Sequence, residues 1–143
     1  MLLTIDIGNT NITMGVFEGE FLLGMFRMTT KRQRTSDEYG FTICGILEHR
    51  GIDPKKIDAV IIASVVPDIM HSFTSGIIKY LDTTPILVSA ETDTGVKVLS
   101  DNPSRTGPDR IVNAVAGYAI AQGPAIVIDF GTCLLYTSDA ADD

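Results

Sequence analysis

Three short segments carry residue types from which chemistry could be built. The first is Asp6-Ile7-Gly8-Asn9-Thr10-Asn11. Asp6 closes an apolar run and could hold Mg²⁺ through water, because phosphate-bound Mg²⁺ usually takes only one or two protein carboxylates. Gly8 lets the backbone approach a ligand closely. The side chains and amides of Asn9, Thr10 and Asn11 are donors suited to phosphate oxygens. The same residues also make an ordinary hairpin turn, for which Gly and Asn are favoured anyway. The second segment is Gly107-Pro108-Asp109-Arg110. As chemistry, Asp109 is a general base for a substrate hydroxyl and Arg110 a bidentate anion ligand. As structure, Pro and Asp at a helix start are what first-turn geometry and the macrodipole favour. Spacing alone does not decide between these two readings.

The third segment, Ile128-Asp129-Phe130-Gly131-Thr132, repeats Ile5-Asp6-Ile7-Gly8-Asn9 about one domain further along. Each copy closes a strand with Asp and opens a tight turn with Gly. One explanation is two unrelated strand exits in which Gly supplies a positive φ. The other is a duplicated fold, in which two such turns facing one cleft would clamp a chain of phosphates.

Composition limits what these segments can serve. The 143 residues make about one domain. With 45% hydrophobic and 20% charged residues, the chain is neither a disordered tail nor a disulfide mini-protein. A net charge of −7 argues against non-specific nucleic-acid binding, which needs clustered cations. It leaves phosphate ligands open, since backbone amides bind phosphate without net positive charge. Cys44 and Cys133 have no metal-ligand spacing, so a reducing cytoplasm is the default expectation. The N-terminus lacks a basic leader segment. The longest apolar run, Ala59–Val66, is too short to span a bilayer. His49 and His71 have no acid–base partner in motif spacing and read as structural or solvent-facing. Lys31, Arg32 and Arg34 read as a solvated loop.

The elements that must position the three segments follow from periodicity. Leu2–Ile7, Ile12–Phe17 and Phe21–Met28 are extended runs joined by short turns, which predicts antiparallel neighbours. Thr35-Ser36-Asp37-Glu38 fits a capping box. It opens a helix over 37–50 with Tyr39, Ile43, Ile46 and Leu47 buried and Gly51 as a left-handed stop. Ala59–Val66 predicts a parallel strand. Pro67-Asp68 starts a helix with Met70, Phe73, Ile77 and Leu81 on one stripe, and Pro85–Val88 is the next strand. Glu91–Gly107 is a long polar loop, a kind that is often functional. A third helix spans 109–122, with Ile111, Val112, Val115 and Ala119 inward and Gly123 ending it. Ala125–Ile128 is a further apolar strand. The order βββαβαβαβ implies an α/β fold: a mixed sheet with helices on its faces. Beyond Thr132 the sequence turns small and acidic, so Cys133 to Asp143 is expected to be a non-native tail, a truncated frame ending in foreign sequence.

Taken together, D-I-G-N-T-N-I-T at 6–13, D-N-P-S-R-T-G-P-D-R-I-V-N-A at 101–114 and V-I-D-F-G-T at 127–132 resemble the type III pantothenate kinases, over residues 1–132. D-x-G-N-T alone indicates only the wider actin–hexokinase superfamily. The resemblance implies a ribonuclease-H-like domain (βββαβαβα) over 1–123 and the opening strand of a duplicated second domain over 124–132. It implies ATP-dependent phosphorylation of pantothenate's primary hydroxyl to 4'-phosphopantothenate, the first step of coenzyme A biosynthesis, by a cytoplasmic homodimer. Asp6, Ile7, Gly8, Asn9, Thr10, Asn11, Ile12 and Thr13 would line the ATP phosphates, and Thr132 would contact ATP. Gly107, Pro108, Asp109 and Arg110 would bind pantothenate, with Arg110 on its carboxylate and Asp109 as proton acceptor. Asp129 would bind K⁺ or ammonium, and Mg²⁺ would accompany ATP. Neither nucleic acid nor membrane is an implied partner.

Three departures stand out. Ser100 replaces a common Tyr before D-N-P, Pro108 stands where Ala is common, and the family's second domain is expected to be missing, which would leave an inactive piece. Two alternatives share the scaffold: a non-catalytic transcriptional accessory regulator, or a kinase of a sugar or acetate. Asp6, Asp109, Arg110 and Asp129 argue against the first, and Gly107 to Arg110 against the second.

Overall fold

The computed structural model describes residues 1–131 and the backbone of 134–140. The chain forms two compact units, Met1–Leu87 and Val88–Asp143. In the first, strands β1 (Leu2–Ile7), β2 (Asn11–Glu18), β3 (Phe21–Thr29), β4 (Ala59–Ser64) and β5 (Ile86–Leu87) form one sheet in the order β3-β2-β1-β4-β5. The first three are antiparallel, as short turns require, and β1-β4-β5 are parallel. The crossovers carry α1 (Ser36–His49) and α2 (Pro67–Leu81). The expected mixed sheet is therefore present, with β5 two residues long rather than four.

Register explains the core. Leu3, Ile5 and Ile7 pair with Val16, Met14 and Ile12 on one side, and Leu3 and Ile5 with Val60 and Ile62 on the other. All are buried. A period of two puts them on one face of the sheet. Tyr39, Ile43 and Leu47 of α1 and Ile69, Phe73, Ile77 and Leu81 of α2 join the same cluster. Ile46 and Met70, expected inside, are only partly buried at its margin. The opposite face carries Thr4, Asp6 and Thr13, half-buried or exposed.

The helices meet through glycine. A methyl group on Gly76 would stand 2.5 Å from the Ser36 carbonyl oxygen, and one on Gly40 would collide with the Tyr80 ring. Backbone cannot yield as a side-chain tip can, so Gly76→Ala should destabilise by about 1–3 kcal/mol. A lowered urea midpoint with an unchanged m-value would register the loss.

The capping box forms as expected. Thr35 N–H donates to Glu38 Oε2 at 2.7 Å, and Glu38 N–H donates to Thr35 Oγ1 at 3.2 Å. These bonds, the Thr35 backbone donor foremost, hold the Glu38 carboxyl below its ordinary value of 4.5. The carboxylate's contribution is therefore complete above 4.5 and fades as pH falls through the lower folded midpoint. A ¹³C titration of Glu38 Cδ should show that depressed midpoint, and Thr35→Ala should move it back up. Gly51 is the left-handed stop after α1, at φ 73°. Burial pushes the Tyr39 phenol up. Its neutral hydroxyl donates to the Lys31 carbonyl at 2.6 Å.

The basic loop is solvated at Lys31 and Arg32, as expected, and Arg34 is half-buried. Arg32 pairs with Asp68 at 3.0 Å, and the Arg34 guanidinium lies 5.9 Å from the centre of the Tyr39 ring. Both histidines are exposed. Among the described residues, no helix is long and apolar enough to cross a membrane.

The second unit contains α3 (Pro108–Ala121), β6 (Ala125–Phe130) and β7 (Leu134–Ala140), with β6 and β7 antiparallel. Two expectations change here. Gln122, not Gly123, takes the left-handed position after α3, at φ 53°, and its N–H reaches the Tyr118 carbonyl at 2.8 Å. Ala119, expected inward, is exposed. Residues 134–140 pair with β6 as β7, since the open ladder of β6 gives any extended neighbour unpaired backbone groups to join. A hairpin thus follows the second Asp-containing strand, as one follows the first.

Candidate active site

The Asp6 turn sits where two central parallel strands end. Asp6 pairs with Thr13 on β2 and with Ala63 on β4, and Ile7 pairs with Ser64 at the last step. The carboxyl edge of parallel strands is where open α/β sheets place ligands. The turn is tied down on its far side. Gly8 N–H donates to the Asn11 carbonyl at 2.9 Å, Thr30 Oγ1 donates to the Gly8 carbonyl at 2.7 Å, and Thr30 N–H donates to the Thr10 carbonyl at 2.9 Å. Gly8 is absent from the positive-φ positions. Its role is closeness: an added Cβ would stand 3.2 Å from the Asn11 carbonyl oxygen. Asp6, Asn9, Thr10 and Asn11 are exposed, whereas Ile7 and Ile12 point into the core and Thr13 is half-buried. The turn is therefore a fixed backbone presenting a carboxylate, two amides and a hydroxyl to solvent. That donor set fits a phosphate with an attendant divalent cation.

In the second unit, Gly107 is the N-cap of α3 and Pro108 its first residue. Gly107 offers no side-chain cap, and Pro108 gives up an N–H that would be unpaired there in any case. Asp109 Oδ1 accepts the Arg110 N–H at 2.9 Å. Asp109 and Arg110 are half-buried. Upstream, Ser100 and Thr106 hydroxyls are 2.9 Å apart and Ser104 Oγ donates to Asn102 at 2.7 Å, closing the loop around a short turn at Pro103–Arg105. Ser100, at the position of the common Tyr, is thereby engaged within its own loop. A concavity of about 480 Å³ in this loop is lined by Thr92, Asp93, Thr94 and Lys97 among others, and by none of the expected site residues.

The helix meets β6 along one stripe. Asp109, Asn113 and Gly117 repeat every four residues and so share a face of α3, while Val127 and Asp129 share a face of β6. A methyl group on Gly117 would stand 2.5 Å from Val127 Cγ2, so the bare glycine lets the helix come down onto the strand. One turn earlier, Asn113 Nδ2 donates to Asp129 Oδ2 at 3.0 Å. Four helical residues rise about 6 Å and two strand residues about 6.6 Å. The steps stay in phase, with helix and strand running in opposite directions. The next position on that face of α3 is Asp109. Across Asp129 the ladder with β7 shifts register, Ile128 pairing with Thr137 and Phe130 with Leu134. Such irregularities re-aim side chains and are common beside active sites.

Asp129 is thus tied to α3 through Asn113, one helical turn after Asp109, a partner that the sequence motifs do not single out. The signal was available: Asn113 lies one turn after Asp109 and one turn before a glycine. Thr132 lies outside the described residues. The Asp6 turn belongs to the first unit.

The strand order and the helical crossovers define a ribonuclease-H-like α/β protein. A solved structure of a reductive activator for a corrinoid, iron-sulfur protein matches 91% of this chain and 27% of its own, at TM-score 0.57 and 15% identity, a likeness of fold alone. The family model of type III pantothenate kinase matches residues 2–141, and the chain belongs to that family. The type III pantothenate kinase of Agathobacter rectalis is 50% identical over 136 residues, 95% of this chain and 52% of the relative. That of Bifidobacterium longum is 44% identical over 137 residues, 96% of this chain and 54% of the relative. The chain spans about half the length of the curated relatives it matches.

Proposed function

We propose that the full-length protein transfers the γ-phosphoryl group of ATP to the primary hydroxyl of pantothenate, giving 4'-phosphopantothenate and ADP. This is the first committed phosphorylation on the way to coenzyme A. Family membership across nearly the whole chain carries the reading. The hydrogen bond that ties Asn113, one helical turn after Asp109, to Asp129 supports it in this chain's own residues.

In this mechanism the Gly107–Arg110 segment binds pantothenate, with the Arg110 guanidinium on its carboxylate. Asp109 accepts the hydroxyl proton as the oxygen closes on the γ-phosphorus. The bond to the β-phosphate oxygen breaks and ADP leaves. Asn9, Thr10 and Asn11 donate to phosphate oxygens, and Asp6 would hold Mg²⁺ through water. Asp129 would hold K⁺ or ammonium, and its exposed carboxylate suits a cation that takes oxygen donors. Bound cations offset triphosphate charge, the dominant need in phosphoryl transfer. An acidic chain is therefore no obstacle. On this reading the first ribonuclease-H-like domain is 1–123, a second domain opens at 124–132, and the full-length protein is a cytoplasmic homodimer.

The test is a coupled ADP-release assay on the full-length protein with MgATP and pantothenate. Turnover is expected in potassium or ammonium chloride and not in lithium chloride. Calorimetry showing binding of neither ATP nor pantothenate would point instead to a regulator on the same scaffold. Phosphorylation of a sugar or acetate but not pantothenate would assign a different kinase.

A further inference from the structure

We propose that Asn113 is a positioning residue for Asp129: its side-chain amide holds one carboxylate oxygen so that the other is presented to the monovalent cation. The inference deepens the reading of Asp129 as the cation's ligand and rests on it. Asp129 is exposed, at the end of a strand, where the ladder with β7 loses register. The Asn113 side-chain amide donates to one of its carboxylate oxygens, at 3.0 Å. A hydrogen bond to an ionised acceptor is stronger than a neutral one. Asn is also the right choice chemically. It donates without bringing charge, so it neither repels a cation nor competes with one.

The helix supplies the precision. Gly117 closes the distance to Val127 and sets the height of Asn113 over the strand. Asp109 rides on the same stripe. A cation held at Asp129 would therefore be held in a fixed relation to the base on α3, through one rigid element. Metal-ligating carboxylates are commonly oriented this way by an outer partner, and loss of the partner typically weakens metal affinity 10–100-fold.

The experiment compares wild type and Asn113→Ala in the full-length protein. Two readouts are taken at constant ionic strength, exchanging lithium chloride for potassium chloride. One is the potassium concentration giving half-maximal turnover. The other is the potassium-dependent rise in melting temperature with MgATP present, which needs no turnover. In Asn113→Ala both midpoints should shift upward roughly 10–100-fold, with the KM for pantothenate little changed. Asn113→Leu, similar in size but without a donor, carries the same comparison if the alanine variant does not fold. A folded variant with a lower melting temperature but unaltered potassium midpoints would make Asn113 a structural staple and overturn the proposal. Wild type that responds equally to lithium and potassium would instead remove Asp129 from the cation role, and Asn113 with it.

Discussion

Asp109→Asn in the full-length protein should lower kcat by roughly 10²–10⁴-fold, the range that a positioned general base typically contributes. The substitution is chosen to separate the two readings of this residue. An asparagine keeps the size and the side-chain oxygen of the native residue, so the contact of that oxygen with the Arg110 N–H can persist. Gly107 and Pro108 still open the helix, so α3 should start where it starts now, less the small charge–dipole contribution of the carboxylate. What it lacks is a carboxylate able to take a proton. If Asp109 serves only the helix start, kcat will stay near wild type and the melting temperature will fall slightly. If it is the base, kcat will collapse with KM for ATP and melting temperature close to wild type. Steady-state kinetics beside a thermal melt decide it.

The largest stability effect is expected at Phe73. It is fully buried and meets Tyr39 edge to face, with ring centroids 5.0 Å apart at 61°. Phe73→Ala deletes a ring from the seam between α1, α2 and the sheet, where Gly40 and Gly76 already hold the helices close. Large-to-small changes of this kind cost about 3–5 kcal/mol, because the surroundings relax only in part. That is a large fraction of the stability of any small domain. Urea unfolding followed by far-UV circular dichroism should show the loss. Ile77→Val, one turn along in the same core, should lose only about 0.5–1.5 kcal/mol. Equal effects from the two substitutions would mean that the ring does not fill the seam as described.

Much of the first unit was readable residue by residue. The capping box at Thr35 and Glu38 is a contact between neighbours, and the left-handed stop at Gly51 is set by glycine's own conformational range. The alternation in Ile12, Met14 and Val16 needs only one buried face to act on it. Where local signals compete, the packing between elements decides. Gly123 looked like the end of α3, yet the helix's last hydrogen bond to Tyr118 ends on Gln122, which accepts the left-handed conformation in its place. Ala119 looked inward because the spacing allowed it, yet α3 rests on its Gly117 stripe. The basic loop is solvated at Lys31 and Arg32, and the half-burial of Arg34 against Tyr39 was hidden because its partner comes from another element.

The site divides in the same way. The chemistry-bearing segments, their placement at strand ends and a helix start, and the repeat of the Asp-containing turn are properties of short stretches of chain, and the amino-acid order by itself determined them. The link between Asn113 and Asp129 is of another kind. It depends on the helix lying on the strand at a height set by one glycine, and on two elements whose rises per step happen to match. Sequence separation hides such a contact, because packing between elements is chosen by the whole core and not by either segment. Only the tertiary structure could turn Asn113 from a helix residue into the partner of a carboxylate.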